Sequence, residues 1–443
     1  MNHEAFKTIL LSALVLASVA MTWNIWFYKT DYENYKGPSE SVKPVAIAQS
    51  QSIPDVVRPS LVLQHVNNET FGQTDNTLVM NVYSLFQKAA FTNVSPAGIK
   101  SAPRRTGSVS YELIFPAPLT LDALQRVFHF DRLDPSLTTY TLVDRVEVYA
   151  SSDDGRVVTA VFRSEQGKDA FYATAGHLTM NDLKNAVEKT ELQPYGKQQL
   201  KNKTVYLPLG TTSISSIMTY YEELPIDEFI PVLFNDPDNV FYTRGKTIYS
   251  DGTRQLEKTG SILQYVNPGI SGSAQGVFDP IIHSIDFINN FSGWTNNYTY
   301  DGLISPGKGQ PAGAEFRIQV GNYMAYNTEY YPNTYLPTME LTWRNGELNT
   351  MNRTLLNLNL IDAQVSVTLD SGTDTLQKLR QASIPVKNIE DLSIGYRLNT
   401  PQGGRDHSLN LTPDWFYKMD NRWYSVTDAT LPQHSLNQRG GTP

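Results

Sequence analysis

Three observations in the 443 residues predict a multidomain extracytoplasmic α+β protein with an N-terminal transmembrane helix. The chain opens on a charge-free apolar segment, is too long for one ordinary core, and then mixes strand-like stretches of period two with short amphipathic helices. The expected organisation is a cytoplasmic stub (1–7), a transmembrane helix (8–28), a linker (29–54), a mixed helical N-terminal domain (55–238), and two related α+β domains with antiparallel sheets (239–335 and 336–443).

The opening segment reads as a signal about to be cut or as an anchor meant to stay. Lys7 and Lys29 bracket twenty-one uncharged residues, enough helix for the ~30 Å hydrocarbon core. Ser18, Val19 and Ala20 form a small-x-small triplet that fits cleavage after Ala20. The apolar character nevertheless continues through "MTWNIWF" and closes with Trp23, Trp26, Phe27 and Tyr28. Aromatic residues at headgroup level mark the edge of a true span, which favours the retained anchor, with Trp23, Trp26 and Tyr28 at the membrane interface. So short a leading stub places the N-terminus in the cytoplasm and residues 29 onward outside, in a single pass of the cell membrane.

After the linker, rich in Ser, Pro, Gln and Lys, "VVRPSLVLQH" reads as a strand, and Leu78, Val82, Leu85 and Ala89 recur at helical spacing. "SVSYELIFPAP" alternates as a strand, after which Thr120 caps a helix whose Leu121, Leu124, Val127 and Phe128 face inward. Asp154 and Gly155 form the turn of a hairpin. From Met180 to Asp236 the pattern predicts helices broken at Pro225 and Pro231. The second block begins as a meander with turns at Arg244/Gly245 and Asp251/Gly252. In the helix that follows, Asp279 is the N-cap, Pro280 the first residue, and Ile281, Ile285, Ile288 and Phe291 the apolar stripe. Two strands turning at Gly321/Asn322 close that block. The third block repeats the order, with a hairpin at Asn345/Gly346, a helix from Asp374 to Gln381, and three strands ending at "RWYSV".

Composition limits the function. With 40% hydrophobic and 18% charged residues the chain is made to fold, so disorder belongs at its ends. The lack of cysteine excludes disulfides and thiolate metal sites, and fits a Gram-positive surface where oxidative folding is not relied upon. A net charge of −8, with no basic run longer than "PRR" at 103–105, excludes nucleic acid as a ligand.

No catalytic, cofactor or metal site stands out. Seven histidines are scattered without zinc-helix spacing, and His283 reads as structural beside its apolar stripe. "SPGKGQPAGAEF" lacks the Lys-Ser/Thr step of a phosphate cradle, and the glycine spacing around Ser271 misses a nucleophile elbow. The adjacent acids Asp153/Asp154, Glu222/Glu223 and Asp227/Glu228 read as solvated, although glycosidase carboxylates come from separated positions that spacing does not reveal. Trp343 and Trp415 read as core, whereas Trp294 is open between core and exposed contact.

Several stretches together carry a resemblance: the anchor ending "WNIWFY", "VVRPSLVLQH", "YSDGTRQLEKTGSILQYVNP", "DGLISPGKGQPAGAEFRIQVGNYMAY" and "LTPDWFYKMDNRWYSV". In order, length and absence of cysteine the chain resembles the YycH (WalH) family, regulators of the WalK/WalR (YycG/YycF) two-component system that controls cell-wall metabolism. The resemblance implies a non-enzymatic bitopic protein with a three-domain extracytoplasmic part. It also implies a partner, the related YycI (WalI), and through it the sensor histidine kinase WalK, with transmembrane helices taking part in the contact. On that reading Ser12, Ala13, Ala17, Ser18 and Ala20 allow close helix approach, and Asn24 seeks an interhelical hydrogen bond. Ordinary composition explains the small residues equally well, and headgroup solvation explains Asn24. The alternative function is an exported cell-wall carbohydrate-binding protein or glycoside hydrolase.

Overall fold

The computed structural model describes residues 3–27, 32–34, 47–96, 101–137, 141–165, 170–187, 192–270, 278–291, 293–304, 312–329, 334–399 and 407–431; in the first helix the side chains described are Lys7 and residues 10–22. The chain begins with α1 (His3–Phe27), β1 (Tyr32–Asn34) and the single turn α2 (Ile53–Val56). It continues through β2 (Leu61–Val66), β3 (Glu69–Gln73), α3 (Asn76–Lys88), β4 (Ala90–Ser95), β5 (Val109–Thr120), α4 (Leu121–Val127) and β6 (His129–Phe130). Next come β7 (Leu142–Ala150), β8 (Val158–Arg163), β9 (Ala170–Gly176), α5 (Met180–Val187), β10 (Gln193–Gln199) and β11 (Thr204–Pro208). Among the described residues β2 to β11 form one sheet, in the order β11-β10-β3-β2-β5-β7-β8-β9-β4-β6.

The second half contains β12 (Thr212–Glu223), α6 (Ile230–Leu233), β13 (Phe241–Thr243), β14 (Ile248–Ser250), β15 (Gln255–Thr259), β16 (Ile262–Val266) and α7 (Pro280–Phe291). Then follow β17 (Tyr298–Ile304), β18 (Ala312–Val320), β19 (Tyr323–Tyr326), β20 (Thr338–Arg344), β21 (Glu347–Thr354) and β22 (Leu356–Leu369). The chain ends with α8 (Gly372–Gln381), β23 (Asp391–Arg397), β24 (Ser408–Met419), β25 (Arg422–Ser425) and α9 (Val426–Thr430). These strands and β1 form the second sheet, with β1 at one end of its path and β22 at the other. Its pairings are antiparallel except for β19 with β23.

Local chemistry explains the helices. Asp75 caps α3 by accepting from Leu78 N at 3.1 Å, and Leu78, Val79, Val82, Tyr83 and Phe86 turn to the core. The Thr120 cap forms as expected, with Ala123 N donating to Oγ1 at 3.3 Å. Asp279 accepts from Ile281 N and Ile282 N at 2.8 and 2.9 Å. Ile281, Ile285 and Ile288 of α7 are fully buried, but Phe291, expected in that stripe, is exposed as the last residue of the helix. The hairpin turns need left-handed backbone, and Gly155, Gly252 and Gly346 supply it at φ +68°, +89° and +79°.

Two expectations are corrected. Residues 212–223, read as helical, are the strand β12, because Thr212 to Glu223 pair along β22 and Ile217 to Tyr220 also pair with β24. The division into sheets falls between Pro208 and Thr212, not at the expected boundaries 238/239 and 335/336. Likewise β20 and β21, placed in the third block, pair with β18 and β16 of the second. The first unit is consequently more sheet than helix. The linker is also partly ordered: β1 pairs with β13, and Ile47 and Ile53 pack against the core.

Candidate functional site

The residues singled out for partner contact all fall on or beside α1. At about 1.5 Å per residue this 25-residue helix is about 37 Å long. From Leu10 to Thr22 every side chain is exposed, including Leu10, Leu11, Leu14, Val15, Leu16, Val19 and Met21. Among the described residues the apolar ones of these side chains stand exposed, and an apolar surface all round a helix calls for lipid or another helix as its neighbour. At 100° per residue, positions 13, 17, 20 and 24 form one stripe, which places Ala13, Ala17 and Ala20 on one face of the helix. Ser12 and Ser18 fall on other faces. The Thr22 hydroxyl donates to Ser18 O at 2.8 Å, which satisfies it within the helix. The side chains of Trp23, Asn24 and Trp26, and the whole of Tyr28, lie outside the described residues. Among those described, no helix is long and apolar enough to cross a membrane.

Elsewhere the expected side chains are occupied structurally. Trp294, open between core and surface, is 5% exposed and its indole N–H donates to Asn289 Oδ1 at 2.7 Å. Trp343 and Trp415 are core residues, donating to Ser284 Oγ and to Asp370 O. His283 packs edge-on to Trp343 at 4.2 Å and makes a 3.1 Å contact with Gly346 O, the structural role expected of it. Asp154 accepts from Ser152 Oγ and Arg156 N in its turn, and Asp227 accepts from the Tyr249 hydroxyl. Ser271 and residues 305–311 lie outside the described residues. Among the described residues no group of three or more His, Asp or Glu is placed to hold a metal.

What the sequence reading missed are charge clusters centred on buried or half-buried strand residues. Glu112 of β5 is fully buried, with His65 Nε2 at 2.9 Å and Arg163 at 2.7 Å, and Arg145 at 3.8 Å. Burial pushes its carboxyl up, but the His65 hydrogen bond and the two guanidinium charges outweigh this and hold it at about 2. A second cluster centres on Arg317 of β18, which donates to Asp301 at 2.6 Å and to Glu315 at 2.5 Å. Glu315 stands directly opposite Glu340 in the β18/β20 register. Burial first, and then the neighbouring acids Asp301 and Glu340, push Glu315 up to about 8 despite Arg317. In a third, Arg397 ties Asp414 at 2.8 Å to Asp428 at 3.0 Å. Each cluster braces neighbouring strands. A signal for the first existed, since "YELIF" and "DRVEV" place charges inside otherwise apolar strand runs.

Comparison with known proteins gives a consistent result. The family described as YycH protein, N-terminal domain, matches residues 4–194, and YycH protein, C-terminal domain, matches residues 202–433. The "Two-component system WalR/WalK regulatory protein YycH" of Bacillus subtilis (strain 168) is 20% identical over 461 residues, with 99% of each chain covered. The crystal structure of YycH from Bacillus subtilis superposes with a TM-score of 0.69 at 16% identity, covering 86% of this chain and 98% of that one. The two chains share a fold.

Proposed function

Because the chain belongs to the YycH family, we propose that it is a regulator of a WalR/WalK-type two-component system, acting by binding and not by catalysis. It sits in the cell membrane through α1, with the N-terminus cytoplasmic and both sheets outside. There it contacts a WalK-like sensor kinase, together with a YycI-like membrane protein, and so acts on cell-wall metabolism. The observation that carries this reading is the helix whose apolar side chains from Leu10 to Met21 are exposed among the described residues.

The physical requirement is modest. A partner shifts a kinase between two states only through a difference in affinity for them, which needs a surface and no reacting groups. In a membrane, helices associate through close packing of small residues and through polar side chains that seek a hydrogen bond. The stripe Ala13, Ala17, Ala20 and Asn24 offers both on one face, with Ser12 and Ser18 available to other neighbours. Trp23, Trp26 and Tyr28 would fix its depth at the outer headgroups.

Co-purification from detergent tests the reading. Wild-type chain is expected to retain the kinase and its companion protein, and a chain with residues 8–28 exchanged for an unrelated apolar helix is expected to lose them. Equal retention by both would contradict helix-mediated recognition, and a mature N-terminus at Met21 would remove the anchor altogether.

A further inference from the structure

We propose that the cleft between the two sheets is a binding site for a neutral saccharide. The cleft encloses a cavity of about 200 Å³, walled by β5, β7, β10 and β11 on one side and by β19, β23 and β25 on the other. It is the place where the two halves of the fold face one another, the usual position of a small-molecule site in a two-part protein.

Four half-buried rings line it, two from each half: Tyr195 and Tyr206, then Tyr323 and Trp423. A pyranose presents apolar C–H faces that pack on aromatic carbon, and rings approaching from both walls suit a ligand with two such faces. Between the rings the polar groups are mainly acceptors. The carboxylates Asp144, Glu165, Asp301 and Asp391 share the wall with Arg145 and Lys203, a balance that repels an anion and offers oxygens to hydroxyl donors.

The closed cleft also leaves hydrogen-bonding capacity unused on both walls. Arg145 has a side chain 5% exposed and donates to Thr204 O at 2.6 Å, yet its Nε has no hydrogen-bond partner. Glu165 lies 3.4 Å from that nitrogen without the geometry of a hydrogen bond. Across the cleft, Thr212 Oγ1 is buried in the same condition. Buried polar atoms left unmatched are costly, and a ligand rich in hydroxyls, each both donor and acceptor, supplies the missing partners to both.

Access requires only that the walls part slightly. They are clasped by Lys203 to Asp391 at 2.5 Å, Lys201 to Glu390 at 3.0 Å, and the Thr74 hydroxyl donating to Tyr323 at 3.2 Å. The two ion pairs are partly exposed, and such pairs hold weakly.

Isothermal titration of the full-length chain in detergent with a tetramer of N-acetylglucosamine, and separately with a cell-wall stem pentapeptide, tests the site. The tetramer is expected to bind saturably, and at least about tenfold more weakly to Tyr323→Ala and to Trp423→Ala. Hydrogen exchange on the wild type gives a second readout that needs no variant, with sugar-dependent protection expected in β10, β11 and β19. Absence of saturable sugar binding, undiminished binding by both variants, protection confined to other segments, or binding of the peptide in place of the sugar would each overturn the proposal.

Discussion

Glu112 shows how much a single position can hold and how little of that a sequence discloses. Its same-face neighbours in β5 are Ser110 and Ile114, one polar and one apolar, so alternation does not decide whether the position faces water or core. His65 covers it, and the His65 ring lies 6.0 Å from that of Tyr206, a residue from far along the chain that also lies under the Arg145 guanidinium at 5.5 Å. Glu112→Gln leaves Arg163 and Arg145 without their buried counter-charge, and the expected loss is about 3–5 kcal/mol in chemical denaturation. The titration has a definite sign. With a folded value of about 2 against an ordinary 4.5, Glu112 contributes stability above pH 4.5 that is lost as pH falls toward 2. Glu315 behaves oppositely, since its folded value is raised to about 8. Its contribution is complete below pH 4.5 and is lost as pH rises through 8, so the stability difference between wild type and Glu315→Gln should decline across that interval. A flat difference from pH 4.5 to 8 in denaturant titrations would show that Glu315 ionises as an exposed acid does.

Elements were legible where their causes are local. The Asp279 cap, the Thr120 cap and the Asn345/Gly346 turn each rest on residues within four positions, and each forms as read. By contrast β12 lies within the 180–236 stretch whose pattern predicts helices, and its strand character comes from pairing with β22 and β24, both far along the chain. The segment 47–53 was equally hidden. It docks on the end of α7, where Asn289 bonds Gln51 N and O at 2.9 Å each and Trp294 N donates to Gln49 O at 3.0 Å. Gly293 makes this approach possible: it has φ +69°, and a Cβ there would stand 2.0 Å from Ala48 O. Gly293→Ala is therefore expected to undock residues 47–53, raising their hydrogen exchange and costing about 1–3 kcal/mol of stability. Unchanged exchange in that segment would mean the dock does not depend on this glycine.

At the scale of the whole molecule, the α+β class and the strands-helix-strands order could be read, but the partition could not. Sequence order placed β20 and β21 with the third block, while five paired positions tie β21 to β16 and six tie β20 to β18. Pairing between distant strands carries no mark in either strand alone. At the same scale, the described segments that follow α1 dock on the second sheet and its helix, β1 on β13 and Gln51 on Asn289. The most direct test is the level of phosphorylated WalR-type regulator in cells carrying either the wild-type chain or one whose residues 8–28 are exchanged for an unrelated apolar helix. The exchange is expected to move phosphorylation to the level of cells lacking the chain, even though the helix put in place of residues 8–28 is itself apolar. Phosphorylation equal to wild type, with the exchanged chain present at the same abundance, would contradict it.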